Sequence, residues 1–567
     1  MSTTVHERDG LPEPNGPRYA IGVDYGTASV RAVVVDVAGG EEVGTGTYEY
    51  ERGTGGVIVS AADPHLARQD PQDYVDGFHW SVAEAVRQAR ENVGLRAENL
   101  VGIGIDTTGS SPLPADASGT PLAFDPRFRD NLDAQTWLWK DHTSHAEADR
   151  ITDLAGSWPT SYVERYGGVY SSEWFWAKIL RCRNVAPEVF AAAATWCEAS
   201  DFIPAYVTGT GDQMARNACA AGHKAMFSED WGGLPDEAFL RTLHPDLAEL
   251  RGRLYDSVVP SDRSIGGLTE AIAAAVGLRP GISVAAGLID AHAGAVASGV
   301  RPGRLVKVMG TSTCDCSVYD ADDAIPTIPG LCGVARDSIV PGMLGVEAGQ
   351  SAVGDLFGWF AENFSPPELR VDGAHAGLTA AAERLRPGES GLLALDWNNG
   401  NRTVLVDHRL TGLLLGQTLH TTAPEVYRSL VEATAFGARK IVDRLESFGV
   451  PVKDIVVCGG ISRKSPFILG IYADVLNRPI HVASAVEVCA VGAAMFGAVA
   501  AGAYASIEAA QEGMTHGADA TFAPEPARAA VYDRLYRLHD AFGGVSSNGD
   551  MGSVMKELIA IREEATA

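Results

Sequence analysis

The chain has 567 residues, 46% of them hydrophobic, and carries 72 acidic against 45 basic side chains, a formal net charge of −27. That length exceeds what a single core fills, so two domains or more are expected. The acidic balance disfavours nucleic acid and anionic membrane as partners and speaks first to solubility, while leaving room for a phosphorylated ligand, which needs only a local cluster of donors.

Residues 1–17 mix acidic residues with prolines and have no apolar core, and so read as a disordered tail rather than a signal peptide. Strand, tight turn and strand follow in IGVDYGTASVRAVVVD, Ile21 to Asp36, the second strand rich in β-branched residues. VGIGIDTTGSSPLP, Val101 to Pro114, repeats the logic of an apolar strand ending in Asp and then Thr, Gly and Ser. A helical, Trp-bearing region is expected over TWLWKDHT (Thr136 to Thr143) and YSSEWFWAKILRC (Tyr170 to Cys182), with Ser171 or Ser172 as cap. Trp137, Trp174 and Trp176 read as core.

Pro and Gly near residue 280 precede a new strand, Ile282 to Ala286, and set an expected boundary close to 278. LVKVMGTSTCDCSVYD, Leu305 to Asp320, restates the opening plan as strand, Gly-Thr-Ser-Thr turn and strand. Asp454 to Lys464 reads as a strand with Gly459-Gly460 opening a helix, and Asn399 to Arg402 as a turn between domains. Val488 to Ala505 is uncharged but Ala/Gly-rich without a basic flank, which suits a buried helix approaching a neighbour closely better than a membrane span. Eight cysteines are too few for a disulfide scaffold and include no C-x-x-C pair; buried reduced thiols in a cytoplasmic protein are expected.

Phosphate oxygens need backbone N–H donors, which glycine lets come close, and a cation such as Mg²⁺ held by a few carboxylates. Asp24 with Gly26, Thr27 and Ser29, followed by Arg31, offers one such loop; Gly310, Thr311 and Ser312 offer another. Each loop alone is also an ordinary hairpin. Asp290 in LIDAH reads locally as a helix N-cap on the Ala291-His292-Ala293 segment.

Taken in order, Asp24-Tyr25-Gly26-Thr27, Gly310-Thr311-Ser312 and Gly459-Gly460 resemble the actin/hexokinase/heat-shock ATPase fold. GLIDAHAGAVASG, GTSTCD, NGNR and GGISRK resemble the FGGY carbohydrate kinases. LWKDHT, GGVYSSEWFWAKIL, AGHKAMF, VEAGQSAVGD and ATAFGAR narrow the likeness to the members that phosphorylate L-ribulose at O5 in arabinose catabolism. It runs from about residue 20 to residue 505.

The resemblance implies an α/β protein with ribonuclease H-like halves around a ligand cleft. An N-terminal domain (18–278) would carry the first phosphate loop and the sugar site. A C-terminal domain (279–545) would carry the catalytic Asp, the second loop and the adenosine site, with a closing helix or tail over 546–567. The implied roles are Asp290 as general base, and Gly109, Trp139, Lys224 and Glu347 as sugar contacts. Asp24 would hold Mg²⁺, and Gly459, Gly460 and Lys464 would join the two loops in binding ATP. Ser465, Gly470 and Ala28 depart from residues common in the family at those places. His292 reads as structural. Self-association as a homodimer stays open, as do other sugars or polyols (D-ribulose, xylulose, ribitol, glycerol) and a non-catalytic ATP-driven switch.

Overall fold

The computed structural model describes residues 16–322, 327–370 and 373–543, with Met555, Lys556, Leu558 and Ile561 near the end of the chain. The expected tail at 1–17 and the segment 546–567 fall almost wholly outside the described residues.

Strands Tyr19–Tyr25 (β1) and Ser29–Asp36 (β2) form the expected hairpin and continue into Glu42–Glu49 (β3). Both faces of β1 and β2 are buried because helices cover both sides of the sheet, so their apolar residues run on rather than alternate. One cover is Pro71–Val93 (α1). It opens on Asp70, whose carboxylate accepts the Gln72 N–H, and stops at Gly94 in the left-handed region. Strand Leu100–Thr107 (β4) lies parallel to β1 with Asp24 opposite Asp106. Ser264–Gly267 (β5), Ser283–Ala285 (β6) and Leu288–Ile289 (β7) complete the sheet in the order β3-β2-β1-β4-β6-β5, with β7 beside β4.

The expected boundary at 278/279 therefore falls inside the first sheet. β6 and β7 finish that sheet rather than open a second, pairing Ser283 with Gly102 and Leu288 with Asp106. The Pro280-Gly281 punctuation is a turn between the antiparallel strands β5 and β6: Gly281 has φ +77° and donates its N–H to Leu268 O at 2.8 Å. The crossing to the second sheet comes after helix Asp290–Ala297 (α4).

The second sheet repeats the plan. Arg304–Met309 (β8) and Thr313–Asp320 (β9) form its hairpin, joined by Gly333–Arg336 (β10), Met343–Ala348 (β11), Asp454–Cys458 (β12), Ile480–Val482 (β13) and Ala520–Phe522 (β14). The order is β10-β11-β9-β8-β12-β13-β14, and β12 lies parallel to β8 as β4 does to β1.

Between the sheets lie α4 and Val488–Ala500 (α5), packed on each other; α5 also lies on β1 and β4. Small residues make this possible. A Cβ at Gly22 would meet the Ala490 carbonyl oxygen at 1.6 Å, and one at Gly104 the Ala493 oxygen at 1.8 Å. The apolar stretch thus builds the inter-sheet core, as expected, and no helix among the described residues is long and apolar enough to cross a membrane. Gly104→Ala must push α5 off the sheet. We expect a loss of about 3 kcal/mol, the upper end for overpacking, seen as a lowered thermal midpoint.

The Trp-bearing region departs from expectation in one half. Phe175–Val185 (α2) is helical, but Thr136–Trp137 is a short strand paired with Arg68–Gln69. The buried Lys178 Nζ takes the carbonyls of Leu138 and Trp137, at 2.9 and 3.3 Å, and so holds this backbone in a non-helical course. Neither serine caps α2. Trp174 occupies the cap position, and the Ser171 hydroxyl accepts the Glu173 N–H one turn earlier.

Candidate active site

A cavity of about 190 Å³ opens where β1, β4 and β7 end and the β8–β9 turn meets them. Strand ends at a change of sheet order are where open α/β folds leave room for ligands. The first sheet and its insertions supply Thr27, Thr108, Gly109, Trp139, Glu173, Trp174, Lys224 and Asp290 to the wall. The second body supplies Gly310, Thr311, Ser312, Cys314, Cys332, Glu347, Arg402 and His408.

Three carboxylates gather beside the cavity, though only Asp290 lines it. Asp24 on β1 and Asp106 on β4 are register partners, and Asp290 begins α4 directly after β7. Ile289, not Asp290, is the helix N-cap; the Asp290 carboxylate accepts the adjacent Ala291 N–H at 2.6 Å and lines the cavity. Burial, then the Asp24 charge, pushes Asp290 up to about 7. Burial also raises Asp24 and, more strongly, Asp106, where the Asp24 and Asp290 charges add to it. Both Asp106 oxygens are buried and receive no N–H or hydroxyl donor among the described residues; their neighbour is the Asp24 carboxyl. Sequence reading noted the Asp106 strand but gave the residue no role; its signal was the repeated strand-Asp-Thr pattern.

In the same cavity, Lys224, closing the helix Ala218–Lys224 (α3), donates to Glu347 Oε1 on β11 at 2.6 Å. Burial alone would raise Glu347, but Lys224, the His292 hydrogen bond and His223 outweigh it and hold the carboxyl well below its usual range. The indole N–H of Trp139 donates to Thr27 Oγ1 at 3.1 Å, tying the expected sugar face to the first loop. Trp174, read as core, is both: it is 4% exposed, lines the cavity, and has Lys224 Nζ 5.7 Å from its ring centre. Gly109 sits at the cavity on a loop held from behind by Glu198, which accepts the Ser111 N–H at 2.6 Å and the Ser110 hydroxyl.

A polar wall of which sequence reading marked only Arg402, as a possible partner for phosphate, is Glu173, Arg402 and His408. Arg402 donates to Glu173 at 3.0 Å, and Ser171 Oγ lies 3.2 Å from His408 Nε2. Burial opposes ionisation of Glu173, but Arg402, His408 and His142 prevail and hold it down at about 2. Arg402 stood in the NGNR motif; Glu173 lay unmarked inside YSSEWF. His142–Glu173–His408 and His223–His292–Glu347 have spacings that could hold a metal ion. Each carboxylate already faces a cation, Arg402 or Lys224, which repels a second one.

The remaining expected ATP contacts divide. Gly310, Thr311 and Ser312 line the cavity, and the helix Gly354–Phe364 braces them, the Val353 and Gly354 amides donating to Thr311 O and Gly310 O at 2.8 and 3.1 Å. In the first loop Thr27 lines the cavity, while the Gly26 N–H closes its own turn on Ser29 O at 3.0 Å and Ser29 is buried at the start of β2. Arg31 stands opposite Asp24 but is exposed and 3.7 Å from Glu487. Gly459, Gly460 and Lys464 lie outside the cavity lining. Gly459 has φ +91° between β12 and a short helix, Gly460–Lys464, and a Cβ there would meet Met309 O at 2.6 Å; Lys464 is exposed. All eight cysteines are free thiols, most of them buried.

Residues 19–297 match the N-terminal domain, and residues 305–501 the C-terminal domain, of the FGGY family of carbohydrate kinases. The chain is 42% identical over 568 residues to a ribulokinase of Shouchella clausii (strain KSM-K16), covering 97% of this chain and 98% of that protein. It is 40% identical to a ribulokinase of Mycolicibacterium smegmatis, covering 94% and 95%. Among solved structures, a xylulose kinase from Rhodospirillum rubrum superposes with a TM-score of 0.72 at 25% identity, covering 92% of this chain and 98% of that one. The glycerol kinase of Plasmodium falciparum with ADP gives 0.70 at 14% over 92% and 97%, a likeness of fold alone. The two sheets, the shared cleft and these matches lead to one conclusion: the chain belongs to the FGGY family of carbohydrate kinases, enzymes that phosphorylate a sugar.

Proposed function

We propose that the protein transfers the γ-phosphoryl group of ATP to O5 of L-ribulose, giving L-ribulose 5-phosphate and ADP, in the cytoplasm. The observation that carries this reading is the shared cavity of Asp290, the Lys224–Glu347 pair and the Gly310–Ser312 loop. The ribulokinases named above support the choice of sugar.

A sugar hydroxyl is a weak nucleophile, and Asp290 accepts its proton as the bond to phosphorus forms. Lys224 donates to a sugar oxygen, Glu347 accepts from a hydroxyl, and Trp139 and Trp174 give apolar faces. Thr27 and the Gly310–Ser312 loop approach the phosphates from opposite lobes. The buried, undonated oxygens of Asp106 beside Asp24 suit a hydrated Mg²⁺, which Asp24 and Asp106 would hold through water. Bound there, the ion supplies charge neutralisation to the phosphates. Arg31, Gly459, Gly460 and Lys464 are assigned to the outer, nucleotide end of the cleft. Closure of the lobes on the sugar excludes water from the phosphoryl group.

The test is ADP release with Mg-ATP and a panel of L-ribulose, D-ribulose, D-xylulose, ribitol and glycerol against a sugar-free blank. We expect kcat/KM for L-ribulose to exceed that for every other member by at least about tenfold, the discrimination a few misplaced hydroxyls produce. A better substrate elsewhere in the panel overturns the choice of sugar; release equal to the blank throughout points to a nucleotide switch.

A further inference from the structure

His292 is fully buried on α4, two residues after Asp290, with a partner at each ring nitrogen. Nε2 is 3.2 Å from Glu347 Oε2, and Nδ1 is 2.8 Å from Cys219 Sγ on α3. The Cys219 sulfur in turn accepts the Ile289 N–H at 3.3 Å. The ends of this line fix its proton directions. Glu347 is ionised and can only accept, so the ring proton sits on Nε2. Burial raises the Cys219 thiol well above its ordinary range, so it keeps its proton and donates to the bare Nδ1. A neutral ring of this tautomer satisfies both nitrogens; the other tautomer would turn a lone pair toward the carboxylate.

The line joins the amide of Ile289, the residue before Asp290, to the carboxylate proposed to face the sugar. Its members come from α3, α4 and β11, so it spans both bodies of the fold. Lys224 holds the other oxygen of Glu347, but from the cavity side, where it is itself a sugar contact. Nearby His223 does not share the duty: its Nε2 is taken by Ser338 Oγ at 2.9 Å, and its Nδ1 stands 3.7 Å from Glu347.

We infer that His292, oriented by the Cys219 thiol, is a positioning residue that sets the Glu347 carboxylate relative to Asp290 so that both engage one sugar. This rests on the proposed sugar-kinase reading, and the test separates the two. Wild-type enzyme is assayed first on the sugar panel. Activity on a sugar other than L-ribulose overturns the substrate reading alone, and the variants are then measured on that sugar; no activity on any sugar overturns both.

His292→Leu is expected to raise the sugar KM about tenfold, the loss of one hydrogen bond to a charged group, with the ATP KM unchanged. His292→Gln, whose amide N–H can still reach Glu347, should recover most of that loss. Cys219→Ala should raise the sugar KM severalfold, and Cys219→Ser, still a donor, should not. Equal behaviour of the Leu and Gln variants, or a parallel rise in both KM values, would mark His292 as packing only. If His292→Leu does not fold, the cysteine pair decides: an unchanged sugar KM in Cys219→Ala overturns the inference.

Discussion

Asp290→Asn is expected to lower kcat by about 10²–10⁴-fold, the range that positioned proton transfer supplies, while leaving ATP binding near wild type. The substitution is close to isosteric, and the amide oxygen can still accept the Ala291 N–H that the carboxylate takes at 2.6 Å. What it removes is the proton acceptor. The pH profile gives an independent check. Burial and Asp24 place the Asp290 carboxyl at about 7, so its ionised, base-competent fraction falls as the pH drops through that value. For the free enzyme, kcat/KM for the sugar should then fall tenfold per pH unit on the acid side, and the limb should vanish in Asp290→Asn. Removing the Asp24 charge removes a cause of the upward shift, so Asp24→Asn should move the limb to lower pH in whatever activity remains. Initial rates of ADP release across pH at sugar well below KM give kcat/KM, saturating sugar gives kcat, and calorimetry gives ATP binding. Wild-type kcat in the Asn variant would exclude Asp290 as the base.

How much of this was legible beforehand differs by element. The β1–β2 and β8–β9 hairpins were readable because β-branched runs flank short Gly- and hydroxyl-rich turns, a local signal. Burial of α5 was readable from its lack of charge and its small residues, since close packing on Gly22 and Gly104 is written in composition. The boundary near 278 was misplaced because a Pro-Gly turn inside a sheet carries the same local chemistry as a linker. Only the long-range pairing of Ser283 with Gly102 tells them apart. Thr136–Trp137 departs from the expected helix for a related reason: a lysine some forty residues later claims the carbonyls of Trp137 and the adjoining Leu138. In the site, Asp290, Lys224, Glu347, Trp139 and Gly109 came from motif likeness, and the fold brings them to one cavity. Asp106, Glu173 and His408 were passed over because each gains meaning only from a neighbour distant in sequence: Asp24, Arg402 and Ser171 respectively.

Lys224→Met should be the most damaging single change to stability in the cavity, and it separates folding from sugar recognition. Lys224 Nζ and Glu347 Oε1 meet at 2.6 Å, with both side chains under a tenth exposed. Removing the lysine leaves a buried carboxylate whose partners among the described residues are His292 and the edge of His223. Breaking such a pair costs about 3–5 kcal/mol, chiefly because the surviving charge is uncompensated. The double variant Lys224→Met/Glu347→Gln removes that charge as well, and should regain most of the lost thermal midpoint. It should not regain function. Both proposed polar contacts to the sugar are gone, and at about 1.5–3 kcal/mol for each hydrogen bond to a charged group kcat/KM should stay at least about a hundredfold down. Thermal denaturation and initial-rate kinetics on the wild type, the two single variants and the double variant complete the cycle. Recovery of stability without recovery of kcat/KM means the pair is held in the cavity for the sugar. Recovery of both together would make it a strut between the two lobes, and the sugar contacts would have to be sought at the other polar groups of the cavity, Glu173, Arg402 and His408.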